Sequence, residues 1–247
     1  MAPENDTTRP LLVELVGPAG VGKSALAERL TARSGVVRAS VWNLPRWLLL
    51  ESAARSLPLL LRLCYQARAV PARALQQVVR LNALYLFVRR RVGQARVVVL
   101  DEGPVFALSW LQVFGHPRLR PDRTARWWRR TYAAWAAVLD RLIVLDAAAP
   151  VLAARLRHRR KPDDVYRRLT THERLDVMAR YHVAFARVLD DVVAAGGPAP
   201  LKLAATEGSV EHLGDRVLGL GTTAPWLTRC GSSHRPRRPN APGPTSP

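Results

Sequence analysis

A glycine-rich loop between an apolar strand and a helix constrains this chain more than any other feature. Residues 11–30 read LLVELVGPAGVGKSALAERL. The nearly continuous apolar run Leu11–Val16 predicts a buried strand of a parallel sheet, and a helix is predicted from Gly22 to about Arg33. Between them stands the P-loop pattern, a glycine, four residues, and then Gly-Lys-Ser, in the strand–loop–helix context that the motif needs. The sequence therefore predicts a binding site for a nucleoside triphosphate.

Each residue type in the loop has a chemical reason. Glycines let the backbone curl so that consecutive N–H groups point into one anion-binding hollow, and the start of the following helix adds its positive end. Lys23 brings a compact charge to the outer phosphates, and the Ser24 hydroxyl is placed to ligate Mg²⁺. We therefore expect the nucleotide to be bound by Gly17, Pro18, Ala19, Gly20, Val21, Gly22, Lys23 and Ser24.

A second acidic element follows the short β-branched run Arg96–Leu100, which reads RVVVL. Asp101 and Glu102 come next, at the end of that predicted strand. A carboxylate there can hold Mg²⁺ through water beside Ser24, so Ser24 and Asp101 are the predicted metal site. Glu102 has two open roles: it accepts the proton of an acceptor hydroxyl or orients a water, or it only supports Mg²⁺ ligation.

Strands and helices alternate along the whole chain, which favours a parallel sheet covered on both faces. The predicted fold is α/β, a three-layer sandwich with a central parallel sheet of about five strands, the P-loop NTPase fold. Its domain is expected over residues 10–220, between a flexible tail at 1–9 and a disordered Pro/Arg-rich tail at 221–247. Further strands are predicted at Val36–Val41, Arg141–Leu145 and Leu201–Ala205, and further helices at Pro71–Arg91, 104–115, from Asp122, from Thr170 and at 209–220.

Two helical faces are predicted in detail. The helix from Asp122 places Trp128, Tyr132, Trp135 and Leu139 on one side, which is typical of core rather than of a base-stacking platform. The helix that starts with the capping box of Thr170 and Glu173 is predicted to pack Leu175, Met178, His182, Phe185, Leu189 and Val192 as one face. His182 is thereby predicted to be a core or semi-buried histidine rather than a ligand.

Residues 42–70 combine tryptophan and leucine runs with the breakers Pro45 and Pro58. Two interpretations stay open: a pair of buried helices that covers the substrate side of the fold, which the sequence favours, or an amphipathic element that touches a membrane. No apolar run reaches the length of a transmembrane helix.

Charge and cysteine content limit the partners and the compartment. The formal net charge is +19, and because the arginines are spread along the chain, solvated basic faces explain it better than a nucleic-acid or membrane surface. Cys64 and Cys230 show no metal or redox spacing. The sequence favours a cytoplasmic protein in a reducing compartment, without specific nucleic-acid binding and with a possible homodimer.

The chain resembles the P-loop kinases of small molecules, the nucleoside and nucleoside-monophosphate kinases, with thymidylate kinase-like and deoxynucleoside kinase-like proteins nearest. The resemblance covers Leu11–Leu220 and rests on the opening ELVGPAGVGKS, the strand ends at Asp101 and Asp146, the basic run from Arg155 to Lys161, and the last strand with Thr206 and Ser209.

The resemblance implies ATP and Mg²⁺ as cofactors, a small-molecule acceptor, and a lid over about residues 155–168. By that pattern Arg155 and Arg159 close over the transferring phosphates, with Arg157, Arg160 and Lys161 behind them. The chain departs from the family after the Asp101 strand, where those kinases carry Asp-Arg or Glu-Arg-Ser and this chain has Asp101-Glu102-Gly103. Arg38 occupies a place where thymidylate kinase-like proteins put a substrate arginine.

Three functional interpretations follow. The first is an ATP-dependent kinase that transfers the γ-phosphate to a nucleoside or nucleotide-like acceptor, with Lys23, Glu102, Arg155 and Arg159 as catalytic residues. The second is a P-loop ATPase that acts as a switch or binds a partner, since Asp-Glu at a strand end also suits water activation. The third is an arginine-rich nucleic-acid binder with a vestigial nucleotide site. The resemblance favours the kinase.

Overall fold

Five parallel strands form one sheet in the order β2-β3-β1-β4-β5. The computed structural model describes residues 9–67, 71–90, 95–120, 124–148, 151–152, 155, 171–204 and 210–218. The strands are β1 (Leu11–Val16), β2 (Val36–Ala39), β3 (Val97–Asp101), β4 (Arg141–Asp146) and β5 (Pro200–Ala204). The predicted α/β fold with a parallel sheet of about five strands is confirmed.

Helices cover both faces of the sheet in the described residues. They are α1 (Lys23–Thr31), α2 (Arg46–Ala67), α3 (Ala72–Arg90), α4 (Pro104–Phe114), α5 (Ala125–Ala136), α6 (Thr171–Ala194) and α7 (Val210–Leu218), with a 3-10 turn at Pro117–Leu119. Because side chains alternate along a strand, β1 sends Leu12 and Val16 into a core built with α2 to α6. It sends Val13 and Leu15 into a second core with α1 and α7. The three layers are thus helices, sheet and helices.

The sheet order places the P-loop strand at the centre. β1 pairs with β3 so that Leu15 lies opposite Asp101, and with β4 so that Leu15 lies opposite Ile143. The P-loop strand and the Asp101 strand are therefore neighbours, as the predicted metal site of Ser24 and Asp101 requires. In a parallel sheet the carboxyl ends of all strands meet at one edge, where α/β proteins bind their ligands, so the loop after β1 and the acids after β3 share that edge.

The predicted break at Pro58 is wrong, because α2 is one helix from Arg46 to Ala67 with Pro58 inside it. Proline removes one backbone donor, which leaves the carbonyl of Ala54 without its helical partner. Ala54 and Pro58 are both exposed, so water can satisfy that carbonyl. The side of α2 that faces α3 is stabilised by a contact between the two helices, in which Ser52 Oγ donates to the Val79 carbonyl at 2.7 Å. No helix in the described part of the chain is both long and apolar enough to cross a membrane.

The face predicted for the helix after Thr170 is confirmed in part, since Phe185 and Leu189 pack against the core half-buried. His182 is exposed, which corrects its predicted burial, whereas the predicted burial of Val192 is confirmed. Ala184 and Val188, which the prediction did not include, are buried as well. The neighbouring Tyr181 turns inward instead, because its hydroxyl donates to the Phe106 carbonyl at 3.2 Å. The buried stripe of α6 is therefore centred about one residue around the helix from the predicted one and overlaps it at Val192. The predicted caps Thr170 and Asp122 fall outside the described residues.

Other predicted elements are confirmed. Trp128, Tyr132, Trp135 and Leu139 are all buried. Helix α6 ends where Gly196 adopts a φ of 93°, a left-handed conformation that glycine accepts without a steric penalty. The tail predicted at 221–247 lies outside the described residues.

Candidate functional site

The loop after β1 has the backbone geometry of an anion-binding turn. Three of its glycines have positive φ, with values of 150° at Gly17, 85° at Gly20 and 105° at Gly22. A Cβ on Gly17 would lie 2.4 Å from the Leu145 carbonyl oxygen, so the loop folds tightly over the end of β4. Only glycine suits that position, for steric and conformational reasons together.

Lys23 begins α1 and reaches back over the loop. Its Nζ donates to the carbonyls of Gly17 at 2.7 Å and Pro18 at 3.0 Å. These contacts hold the ammonium at the mouth of the loop, where phosphate oxygens could replace neutral carbonyls as stronger, charged acceptors. Ser24 follows in the first turn of α1 and is exposed, so its hydroxyl is accessible to a metal ion.

Arg155, an arginine that is predicted to belong to a lid, contacts the same loop. Arg155 NH1 donates to the Val21 carbonyl at 3.1 Å and lies 3.9 Å from the position of a Cβ on Gly22. The structure therefore brings Arg155 and Lys23 to one loop, although they are far apart in sequence. Arg159 and the other basic residues of the predicted lid, Arg157, Arg160 and Lys161, fall outside the described residues.

Asp101 ends β3 with a buried carboxylate, whose side chain is only 3% exposed. Its Oδ2 accepts a hydrogen bond from Arg38 NH2, and Arg38 NH1 also lies 3.6 Å from Glu28. Two buried atoms of the Asp101–Arg38 pair, Oδ1 and Nε, have no hydrogen-bond partner among the described residues. Buried polar atoms are nearly always satisfied in native structures, so Asp101 Oδ1 is an acceptor and Arg38 Nε a donor that a bound ligand can satisfy.

The same observation tests whether Mg²⁺ suits this edge. Magnesium prefers hard oxygen ligands and usually keeps several waters while binding one or two protein oxygens. The unpartnered Asp101 Oδ1 and the exposed Ser24 hydroxyl are oxygens of that kind, on elements that flank the loop. The residues present fit the metal. We propose that Ser24 and Asp101 coordinate the same Mg²⁺.

Glu102 carries the strained backbone of the site. It is the non-glycine residue with positive φ, 62°, in the described part of the chain. Its carbonyl accepts a hydrogen bond from the Val41 N–H at 3.3 Å, which ties the turn after β3 to the end of β2. Strained residues of this kind concentrate at functional sites, where surrounding structure holds them. The half-buried Glu102 is thus fixed at the carboxyl edge of the sheet.

Glu14 is a site-supporting residue that sequence reasoning missed. It lies in the middle of β1, fully buried, and burial raises the pKa of its carboxyl to about 8, against the weaker lowering effect of hydrogen bonds from Val105 and Phe106. Its Oε1 accepts from the Val105 N–H at 2.9 Å, at the start of α4. A Cβ on Gly103 would lie 2.8 Å from that oxygen. The one acid inside an otherwise apolar strand was the available signal.

Aromatic side chains adjoin the acidic turn. The ring centroids of Trp42 and Phe106 are 6.3 Å apart, those of Phe106 and Tyr181 are 6.2 Å apart, and the Arg80 guanidinium lies 4.4 Å from the Trp42 ring centroid. Trp42 follows β2 and Phe106 lies in the first turn of α4, so both belong to the ligand-binding edge of the sheet. Sequence reasoning did not single out this group as part of a site.

Comparison with known proteins agrees with the fold. A family model described as an AAA domain matches residues 12–184, and no curated protein matches the chain. Thymidylate kinase from Candida albicans has a similar structure, with a TM-score of 0.52, 12% identity, and coverage of 86% of this chain and 91% of that one. At this identity the likeness shows the fold alone, and it confirms the predicted resemblance at that level.

Two further solved structures are similar over most of their length. Deoxyadenosine kinase from M. mycoides with bound dCTP has a TM-score of 0.46 and 13% identity, and the match covers 85% of this chain and 98% of that one. Shikimate kinase from Bacteroides thetaiotaomicron has a TM-score of 0.47 and 14% identity, with coverage of 85% and 97%.

Proposed function

The chain belongs to the AAA domain family, and we propose that it is an ATP-dependent phosphotransferase that moves the γ-phosphate to a small-molecule acceptor. The observation that carries this proposal is the contact of Arg155 NH1 with the Val21 carbonyl. It sets a second cation on the loop that Lys23 already spans. Phosphoryl transfer depends mainly on positioning and on neutralising the phosphate oxygens, and two converging cations supply both.

Each residue of the loop then has a defined task. The positive-φ glycines shape the backbone hollow for the β- and γ-phosphates. Lys23 exchanges its carbonyl acceptors for phosphate oxygens, and Arg155 adds charge where negative charge spreads in the transition state. Bound Mg²⁺ would neutralise and orient the phosphates, with Ser24 and Asp101 as the residues that hold it. Arg159 is proposed to act with Arg155 from the same basic segment.

Glu102 is the proposed general base. The hydrogen bond from the Val41 N–H to the Glu102 carbonyl fixes the turn, and the residue is half-buried at the edge of the sheet where the acceptor is proposed to approach. A carboxylate there accepts the proton of an acceptor hydroxyl as the oxygen attacks the γ-phosphorus and the bond from that phosphorus to the bridging oxygen breaks, so that ADP leaves. A positioned base of this type accounts for a rate factor of about 10²–10⁴.

The proposed acceptor is nucleoside or nucleotide-like. Trp42 and Phe106 offer flat apolar surfaces beside the acidic turn, and rings of this kind stack on planar ligands. Arg38 adds a buried donor, Nε, without a partner among the described residues. An aromatic surface beside a cationic donor suits a planar group that carries hydroxyl or phosphate oxygens.

A P-loop ATPase that works as a switch is the alternative. The sequence Asp101-Glu102 at a strand end suits it, because the same glutamate can polarise an attacking water. The two functions differ in what receives the phosphate. We also propose a cytoplasmic location and an absence of specific nucleic-acid binding, as the sequence predicts.

An ADP-release assay with ATP and Mg²⁺ separates the two functions. Release is expected to be slow without acceptor and to rise strongly when a pool of nucleosides, nucleotides, sugars and aminoglycosides is added, because closure of a lid excludes water from the phosphates. Fast release that no acceptor changes would support the ATPase instead.

A further inference from the structure

Helix α2 carries a row of exposed apolar side chains along one side. We call this row the α2 stripe, and its exposed fractions are Trp47 56%, Leu50 72%, Leu57 52%, Leu61 61% and Tyr65 88%. The spacings of three, seven, four and four residues place all five on one side of the helix. Exposed apolar groups that form a continuous patch mark an interaction site, whereas scattered ones need no explanation.

The edges of the α2 stripe are basic. Arg46, Arg55 and Arg62 are exposed on α2 itself, and the Arg90 guanidinium of α3 lies 5.1 Å from the Trp47 ring centroid. Residues 42–90 contain eight arginines and a single acid, Glu51. That acid is already engaged, at 2.9 Å from Arg55 and 2.6 Å from Arg90. The surface around the stripe therefore presents cations to an approaching partner.

An open groove of about 400 Å³ runs beside the α2 stripe, between α2 and α3. Leu50 and Val79 contribute apolar walls, and Arg46 and Arg80 are among the residues that line the groove. An apolar groove on a helix that also carries exposed arginines suits a partner that combines hydrocarbon with negative charge.

Charge decides between the partners that could cover this face. A second copy would bring two arginine-rich edges together, each on a chain of net charge +19, and like charges across an interface are unfavourable. An anionic lipid surface offers the opposite charge, together with an apolar layer beneath it. Helices that lie in such an interface carry leucine and aromatic residues on one face and basic residues beside it. The α2 stripe and its flanking arginines have this composition.

We propose that the α2 stripe binds the surface of an anionic lipid membrane. Helix α2 lies parallel to that surface, with the stripe at the boundary between headgroups and acyl chains, while the flanking arginines extend to lipid phosphates. The chain is held on the membrane without crossing it. This site is separate from the nucleotide loop, so the proposal does not depend on the phosphotransfer reaction.

Flotation of the full chain with vesicles tests the proposal. We expect binding to phosphatidylcholine vesicles that contain phosphatidylserine to exceed binding to pure phosphatidylcholine by about tenfold or more, and to weaken as salt is raised. Leu57→Ser and Leu61→Ser together are expected to lower binding about tenfold or more, since each removes exposed apolar area. Leu201→Ser is the matched control, because Leu201 is 46% exposed on β5, outside the stripe, and it should bind as the wild type does.

A second measurement does not depend on the leucine variants. Brominated lipid should quench tryptophan fluorescence, and Trp47→Phe should remove more of that quenching than Trp127→Phe, because Trp127 is half-buried on α5. Equal binding by the leucine variants and the wild type would overturn the proposal, since the general charge of the chain would then explain it. An absence of binding to the anionic vesicles would overturn it as well. So would lipid-free dimers that the same leucine changes dissociate, because the stripe would then belong to a second copy.

Discussion

The Glu14 carboxyl accepts a hydrogen bond from the Val105 N–H at 2.9 Å, which joins the centre of β1 to the first turn of α4. The turn that carries Asp101 and Glu102 lies between these two anchors. Gly103 fits against the same carboxyl, with no room for a Cβ. The strand that delivers the P-loop therefore also holds the acidic turn in place, through one buried side chain.

The first prediction concerns pH. Burial raises the pKa of Glu14 from 4.5 to about 8 in the folded chain, so the folded state keeps a proton that the unfolded state loses. Its contribution to the free energy of unfolding is present below pH 4.5 and is lost as pH rises to about 8, with a slope of at most about 1.4 kcal/mol per pH unit. Urea unfolding at several pH values measures it, and Glu14→Gln should remove this part of the slope. Equal slopes for both proteins would contradict the assignment.

The second prediction concerns the space at Gly103. Gly103→Ala puts a methyl group 2.8 Å from Glu14 Oε1, so the acidic turn must shift, and we expect a loss of about 1–3 kcal/mol in the free energy of unfolding. Gly214→Ala is the control, because its new methyl meets Leu30 at an ordinary 3.4 Å. Glu14→Asp in the Gly103→Ala background shortens the acid and should recover part of the loss. Thermal or urea unfolding of the four proteins measures these effects, and a Gly103→Ala variant as stable as the control would contradict the packing argument.

The third prediction concerns the P-loop lysine. Lys23→Ala should abolish turnover with ATP and Mg²⁺ while circular dichroism and melting temperature stay nearly unchanged, since Lys23 is not a core residue and its Nζ donates to carbonyls of the loop itself. Lys202→Ala removes another lysine, an exposed one on β5, and should keep full activity. Wild-type turnover in Lys23→Ala would show that the loop is not a working site.

The fourth prediction concerns Glu102. Glu102→Gln keeps the shape of the side chain but cannot accept a proton, so turnover should fall about 10²–10⁴-fold. The affinity for ATP, measured by calorimetry in the presence of Mg²⁺, should change little because the carboxyl acts on the acceptor. A variant that retains turnover would assign Glu102 to support of the metal site alone.

Periodicity and motifs predicted the fold well. The predicted strand Leu11–Val16 has the same bounds in the structure, because a buried central strand of a parallel sheet is apolar on both faces. The prediction at Pro58 failed because contacts with α3 and an exposed carbonyl let a helix continue through proline, and neither is visible in local sequence. The prediction that His182 is buried was wrong, because the neighbouring Tyr181 faces α4 instead and its hydroxyl donates to the Phe106 carbonyl.

The sequence predicted the site residues that belong to a motif or end a strand. It did not predict the residues whose role depends on packing. Lys23 and Ser24 follow from the P-loop pattern, and Asp101 follows from the end of a strand. The role of Glu14 could not be predicted in this way, because Glu14 supports the site through a contact with residues about ninety positions away in the chain. Only the fold creates that contact. The pairing of Asp101 with Arg38 was hidden for the same reason, since it depends on β2 lying beside β3.

The destination of the γ-phosphate tests the central claim most directly. Mass spectrometry of a mixture of the chain, ATP, Mg²⁺ and a pooled library of nucleosides, nucleotides, sugars and aminoglycosides shows which compound gains a phosphate. We predict one phosphorylated small molecule that forms with wild-type protein and not with Lys23→Ala. Rapid release of inorganic phosphate with no phosphorylated compound would contradict the phosphotransferase assignment and leave the ATPase.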